Sequence, residues 1–185
     1  LQLPWKAQLQ LKNITLLLNI SCCMWNTESR KFSSVLSVPN GGSWGEWGPA
    51  SFCSYGYANG FSLKVKVYFS DAPLLLNILL CLCIIAFFGR WRTWTRKRLC
   101  PGGYLVTFSM RVEPHQKILD DTAVNNIGFK CSGGANLIGF GTKWGKFGPW
   151  SDRCSIGICG MKTRVEDAQG ISDDTALNDV AFYCC

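Results

Sequence analysis

Two acidic pairs stand at equivalent places in the chain, Asp120-Asp121 and Asp173-Asp174, each followed by Thr-Ala. Paired carboxylates at a suitable separation can perform glycosyl chemistry, one as acid and the other as nucleophile or base. Asp121 and Asp174 also have an architectural use. A carboxylate that precedes Thr in a turn accepts backbone N–H bonds and sets the entry of the next strand. Residues duplicated by internal repetition serve architecture more often than catalysis, so Asp121 and Asp174 are assigned to turns, together with Asn125 and Asn178. Glu46, Glu113 and Glu166 are the remaining acids of interest, and nothing in the sequence places two of them together. His115, the single histidine, follows Glu113-Pro114 in an expected turn, and no motif ties a Ser or Cys nucleophile to it. The sequence therefore names no catalytic residue and implies no cofactor.

Sulfur is the most abundant reactive chemistry, with 11 cysteines in 185 residues. Cys22-Cys23, Cys81-Leu82-Cys83 and Cys184-Cys185 lack the paired spacing of a zinc site, and one histidine does not supply the missing ligands. No metal site is expected. Disulfides account better for the count, and they require an oxidising compartment, so the protein reads as extracellular and secreted.

The elements that would position these groups form an internal repeat. Asp120-Asp121-Thr122-Ala123-Val124-Asn125-Asn126-Ile127-Gly128-Phe129-Lys130-Cys131 has a near copy in Asp173 to Cys184. A damaged third copy keeps Asn77 and Cys83 in the same register. The motifs Trp44-Gly45-Glu46-Trp47, Trp91-Arg92-Thr93-Trp94 and Trp144-Gly145-Lys146-Phe147 each precede a cysteine, at Cys53, Cys100 and Cys154. Each cysteine is followed by an alternating run: Phe61 to Val65, Phe108 to Glu113, and Met161 to Glu166. Period-two alternation predicts strands with one face in a core and the other in water. Three such units make one all-β domain with pseudo-threefold symmetry.

These motifs resemble the vitelline membrane outer layer protein 1 family from about Ser34 to Cys185. The resemblance rests on Asn40-Gly41-Gly42-Ser43-Trp44-Gly45-Glu46-Trp47, on Tyr104 to Glu113 and on Asp173 to Cys185. It implies a disulfide-linked β-prism of three Greek-key antiparallel sheets, in a secreted protein of egg coats and mucosal fluids. The repeats occupy about 34–88, 89–141 and 142–185. Joining the first and last cysteine of each repeat gives Cys53–Cys83, Cys100–Cys131 and Cys154–Cys184, and Cys159–Cys185 remains as in the family. Arg92 stands where the family has a glycine after the first Trp of the second repeat.

Residues 1–33 match nothing in the repeats and read as an unstructured leader or as sequence that is not truly coding. Asn13-Ile14-Thr15 and Asn19-Ile20-Ser21 fit the glycosylation sequon. The uncharged run Ala72 to Gly89, followed by Arg90, Arg92, Arg96, Lys97 and Arg98, has the form of a transmembrane segment with a positive flank. Its second reading, which the register of Asn77 and Cys83 favours, is the last strand of the first repeat with a shortened apolar loop, and its third is sequence over 72–99 that is not truly coding. The formal charge of +7 comes from 19 basic and 12 acidic residues. Its excess lies in Arg90 to Arg98 and in residues 6–32, which leaves the repeated core near neutral. Arg90-Trp91-Arg92-Thr93-Trp94 mimics the basic-aromatic pattern of a nucleic-acid face, but its tryptophans are the repeat's structural pair.

The leading expectation is a structural or binding protein of an extracellular coat or mucosal layer, without catalysis. Its expected partners are coat or mucus glycoproteins, including glycans that contain N-acetylglucosamine, and neither nucleic acid nor membrane. Carbohydrate recognition in the manner of β-prism lectins is the alternative, through Trp44, Trp47, Trp91, Trp94, Trp144, Trp150 and Tyr104. Most of those rings are expected in the core. Transfer among N-acetylglucosamine oligomers, an activity attributed to the family, rests on the resemblance alone.

Overall fold

The computed structural model describes residues 30–65, 93–113, 124–165 and 177–185. The leader up to residue 29, the apolar run 72–89, Cys81, Cys83, Trp91, Arg92, His115, Asp121, Glu166 and Asp174 lie outside the described residues. Among the described residues all regular structure is strand, and no helix is long and apolar enough to cross a membrane.

The strands are β1 (Ser34–Leu36), β2 (Glu46–Trp47), β3 (Ser51–Phe52), β4 (Gly60–Phe61), β5 (Lys64–Val65), β6 (Thr93–Trp94), β7 (Arg98–Leu99), β8 (Leu105–Val112), β9 (Val124–Cys131), β10 (Asn136–Ile138), β11 (Lys146–Phe147), β12 (Ile158–Val165) and β13 (Leu177–Cys184). They form an all-β prism. One side is β1-β13-β12-β2, with β3 also on β12, and the second is β10-β9-β8-β11. The third is represented by two antiparallel pairs, β4 with β7 and β5 with β6.

The sheets are out of phase with the sequence repeats. Each Trp-bearing segment pairs with the long strand of the preceding repeat: β6 and β7 with β5 and β4, β11 with β8, and the first repeat's β2 and β3 with β12. Three equivalent backbone bonds mark these junctions. Thr95 N–H donates to the Leu63 carbonyl at 2.8 Å, Gly148 to Met110 at 2.9 Å and Gly48 to Thr163 at 2.8 Å. The chain thereby closes on itself, since the last of these bonds joins its first repeat to its last. The physical reason is edge pairing. Each long strand would otherwise expose a row of unpaired N–H and C=O groups.

The core is aromatic. Phe61, Phe108, Phe129 and Phe182 are fully buried, with ring centroids 4.6 to 6.3 Å apart. They come from all three repeats, so no repeat buries its apolar face alone. Leu105 and Ile158 open β8 and β12, Ala58 lies two residues before β4, and all three are fully buried. Ala58 N–H donates to Ile158, and Leu105 N–H donates to Ala58, each at 2.8 Å.

One expectation about the strands needs correction. The polar face of the alternating runs does not lie wholly in water: Ser62 and Ser109 are buried, as is Thr107 just before the second run, while Arg111, Lys162 and Arg164 are only partly exposed. The neighbouring Trp-bearing segment covers that face, and hydroxyls take over part of the ladder. Ser62 donates to the Thr95 carbonyl at 2.7 Å, Thr107 to Ser151 at 2.9 Å and Ser109 to Gly148 at 2.8 Å.

Three bridges are formed among the described residues: Cys100–Cys131, Cys154–Cys184 and Cys159–Cys185, closing separations of 31, 30 and 26 residues. Cys53 is also disulfide-bonded. Its partner lies outside the described residues, as does Cys83. Replacing Cys100 and Cys131 by Ser is expected to lower stability by about 3–4 kcal/mol, the chain-entropy value for a loop of this length. Urea unfolding under non-reducing conditions checks this, and an unchanged midpoint would contradict it.

Candidate functional site

Closure of the ring carries the Gly41-Gly42 loop of the first repeat onto the last strand, β13. Gly42 N–H donates to the Asn178 carbonyl at 2.7 Å. The side chains of Asn178 and Asp179 lie directly against the two glycines. A Cβ on Gly41 would stand 2.3 Å from Asp179 Cγ, and one on Gly42 would stand 2.9 Å from Asn178 Oδ1. Only glycine lets backbone approach these polar groups so closely. Arg164, on β12, donates from Nε to the Gly45 carbonyl at 2.8 Å and acts electrostatically on Asp179. Gly45 has φ of 83°, a left-handed conformation that turns the chain between Trp44 and β2. Trp44 itself is 63% exposed.

Asp179 is half-buried. Burial pushes its carboxyl above the ordinary value of 3.8, and three contacts oppose that rise: the Val180 N–H on Oδ1 at 2.7 Å, and the cations of Arg164 and Lys162. Burial prevails. Asn178 is only 6% exposed, and its Nδ2 finds no acceptor among the described residues. A buried donor left in this way carries a cost in folding free energy.

The same corner recurs at the junction of the third and second repeats, with different side chains. Here Gly141-Thr142 meets Asn125-Asn126 on β9. Thr142 N–H donates to the Asn125 carbonyl at 2.9 Å, matching the Gly42 bond, and the Thr142 hydroxyl donates to Asn125 Oδ1 at 2.8 Å. Asn126 occupies the place of Asp179. Its Nδ2 donates to the Gly139 carbonyl at 3.0 Å, and its Oδ1 accepts from Ile127 N–H at 2.8 Å. Arg111 occupies the place of Arg164 and reaches the Lys143 carbonyl through Nη1 at 2.8 Å, its buried Nε left unpaired among the described residues. Trp144 is 60% exposed, as Trp44 is. One corner thus satisfies its amides internally, and the other presents a carboxylate and an amide without an internal acceptor.

Among the residues singled out from the sequence, Asn125 and Asn178 are not turn residues. They are the second residues of β9 and β13 and are buried. Glu46 is exposed on β2, in one sheet, and Glu113 follows the end of β8, in another. Among the described residues no three His, Cys, Asp or Glu side chains gather as a metal site would require. The tryptophans correct the expectation of core placement: Trp44, Trp47, Trp94, Trp144 and Trp150, with Tyr104, are all exposed. Phenylalanines fill the core instead, and several rings outside it carry cations. Lys162 Nζ lies 4.6 Å from the Trp47 centroid and Lys130 Nζ lies 4.4 Å from that of Trp150. Sequence reasoning passed over Asp179. The signal was available in the copied motif, where Asn125-Asn126 becomes Asn178-Asp179.

Residues 34–185 match the family described as Vitelline membrane outer layer protein I (VOMI). The chain belongs to this family. The vitelline membrane outer layer protein 1 homolog of Mus musculus is 39% identical over 170 residues, covering 84% of this chain and 85% of the relative. The Homo sapiens homolog is 40% identical over 169 residues, with 83% and 84% covered. Among solved structures, a mannose-binding lectin from champedak superposes with a TM-score of 0.53 at 15% identity, covering 85% of this chain and 99% of the lectin. The V. cholerae biofilm matrix protein Bap1 gives 0.50 at 10% identity, covering 85% of this chain and 24% of that protein. At such identities these two likenesses speak for the shared fold alone.

Within the VOMI fold, the half-buried Asp179 makes stability depend on pH. Its folded pKa is raised, so the folded state holds the proton more tightly than the unfolded chain, and stability falls as pH rises from 3.8 through the folded value. Asp179→Asn, which installs the residue of the other corner, is expected to raise stability at pH 7 and to remove this part of the pH dependence. Urea midpoints of both proteins between pH 3 and pH 7, roughly the window of the linkage, provide the check. A variant less stable than the parent at pH 7 would contradict it.

Proposed function

We propose that the chain is a secreted structural and binding protein of an extracellular coat or mucosal layer, acting without catalysis. The observation that carries this reading is the bridging of all seven described cysteines in a member of the VOMI family. Cross-links of this density favour an oxidising compartment and a chain that must persist outside the cell. The last two residues, Cys184 and Cys185, are each bridged, which pins the end of β13 in the fold.

The binding half of the proposal is recognition of glycans on coat or mucus glycoproteins, including those that contain N-acetylglucosamine. Exposed Trp44 and Trp144, at equivalent places beside polar corners, support it. An exposed indole offers an apolar face for the C–H side of a pyranose, and neighbouring polar groups fix orientation. The lectin likeness extends to the fold and adds no ligand.

Tryptophan fluorescence titrated with N-acetylglucosamine oligomers tests the binding half. A saturable change is expected, and its absence at millimolar oligomer would remove glycan recognition. Product analysis after prolonged incubation with the same oligomers tests the non-catalytic half. Unchanged chain lengths are expected, and longer or shorter oligomers would overturn it in favour of transfer.

A further inference from the structure

The two equivalent corners differ in a way that folding does not require. At the Gly141-Thr142 corner, the Thr142 hydroxyl and both ends of the Asn126 amide are used inside the protein. At the Gly41-Gly42 corner the hydroxyl is missing, the amide is replaced by a carboxylate, and Asn178 Nδ2 is buried without an acceptor among the described residues. Burial penalises the carboxylate, and the second corner demonstrates that an asparagine fits the same place in the strand. A side chain kept against the interest of stability, where a neutral alternative fits, points to use by a ligand.

We propose that the Gly41-Gly42/Asn178-Asp179 corner is a glycan-binding site, and that the Gly141-Thr142 corner, the other of the two described, is closed. This rests on the glycan reading above and assigns it to particular atoms. Asp179 accepts from sugar hydroxyls, the partly exposed glycine turn adds no side chain of its own to crowd a ring, and Trp44 supplies the apolar face. Arg164 and Lys162 flank the carboxylate from β12, so the local charge is already balanced and disfavours a cationic ligand or a metal ion. No third carboxylate or imidazole joins among the described residues. The chemistry selects a neutral pyranose with adjacent hydroxyls. Trp144 is equally exposed but stands beside amides that are already satisfied.

The test is isothermal titration of the disulfide-intact protein with the N-acetylglucosamine tetramer, for the parent, Asp179→Asn, Trp44→Ala, Trp144→Ala, and Asn126→Asp combined with Thr142→Gly. The parent is expected to bind the tetramer saturably. Asp179→Asn should weaken binding about 10-fold or more, the loss of a charge-assisted hydrogen bond. Trp44→Ala should weaken it and Trp144→Ala should not. The double variant, which rebuilds the open corner at the closed one, should bind one tetramer more than the parent. Urea midpoints establish that each variant is folded, and Asp179→Asn, with the precedent of Asn126, is not expected to lose stability. Saturable binding that Asp179→Asn leaves unchanged, or that Trp144→Ala weakens as much as Trp44→Ala does, overturns the site assignment and leaves glycan recognition standing. No binding by the parent removes both.

Discussion

The structure depends on the pairing of strand edges across repeat boundaries. A long strand such as β8 has a partner within its own repeat on one side only, and its other edge is completed by the Trp-bearing segment that follows in sequence. For the last long strand, β12, the first repeat supplies the segment. Three equivalent N–H···O=C bonds, from Thr95, Gly148 and Gly48, express the same constraint three times. Closure removes the exposed edges that make open sheets prone to association. It also makes residues 34–52 and 158–184 mutually dependent, although they lie at opposite ends of the folded region.

That dependence explains where the candidate site falls. The open corner is composite: its glycines come from the first repeat, and Arg164, Asn178 and Asp179 come from the third. Its geometry exists only once the ring has closed. The closed corner is built by the same rule from the third and second repeats, which makes it an internal control. Against it, the departures at Gly42 and Asp179 stand out as differences that the shared backbone of the two corners does not require. Burying a carboxylate and leaving an amide donor without an acceptor both work against stability. The bridges and the phenylalanine core offset such costs.

Much of the fold was legible in the chain. The copied motif ending in Cys131 and Cys184, the Trp-to-Cys spacing and the alternating runs all point to three β units, and these elements are present as β8, β9, β12 and β13. The phase between repeat and sheet was not legible, because a sequence period reports which residues recur and not which edges meet. Nor was the burial of Ser109 and Thr107, since alternation marks polarity, and these hydroxyls are buried as part of a hydrogen-bonded ladder. The tryptophans misled for a related reason. Residue type alone suggests a core position for so large a ring, whereas the left-handed glycines Gly45 and Gly145 follow Trp44 and Trp144, which remain exposed. The site was legible in one letter, Asn126 against Asp179, but reading it required knowing that Gly41 and Gly42 lie across from it.

Closure of the ring is the claim on which the composite site stands, and native-state hydrogen exchange tests it most directly. The amides to follow are Gly42, bonded to Asn178, and Gly48, bonded to Thr163, with Gly148 as the reference within the chain's interior. The account predicts that Gly42 and Gly48 exchange slowly, with protection comparable to that of Gly148, because all three belong to one cooperative closed structure. Rapid exchange at Gly42 and Gly48 beside a protected Gly148 would mean that the first repeat is not docked on the last. The ring would then be open in solution, and the corner at Asp179 would not be assembled.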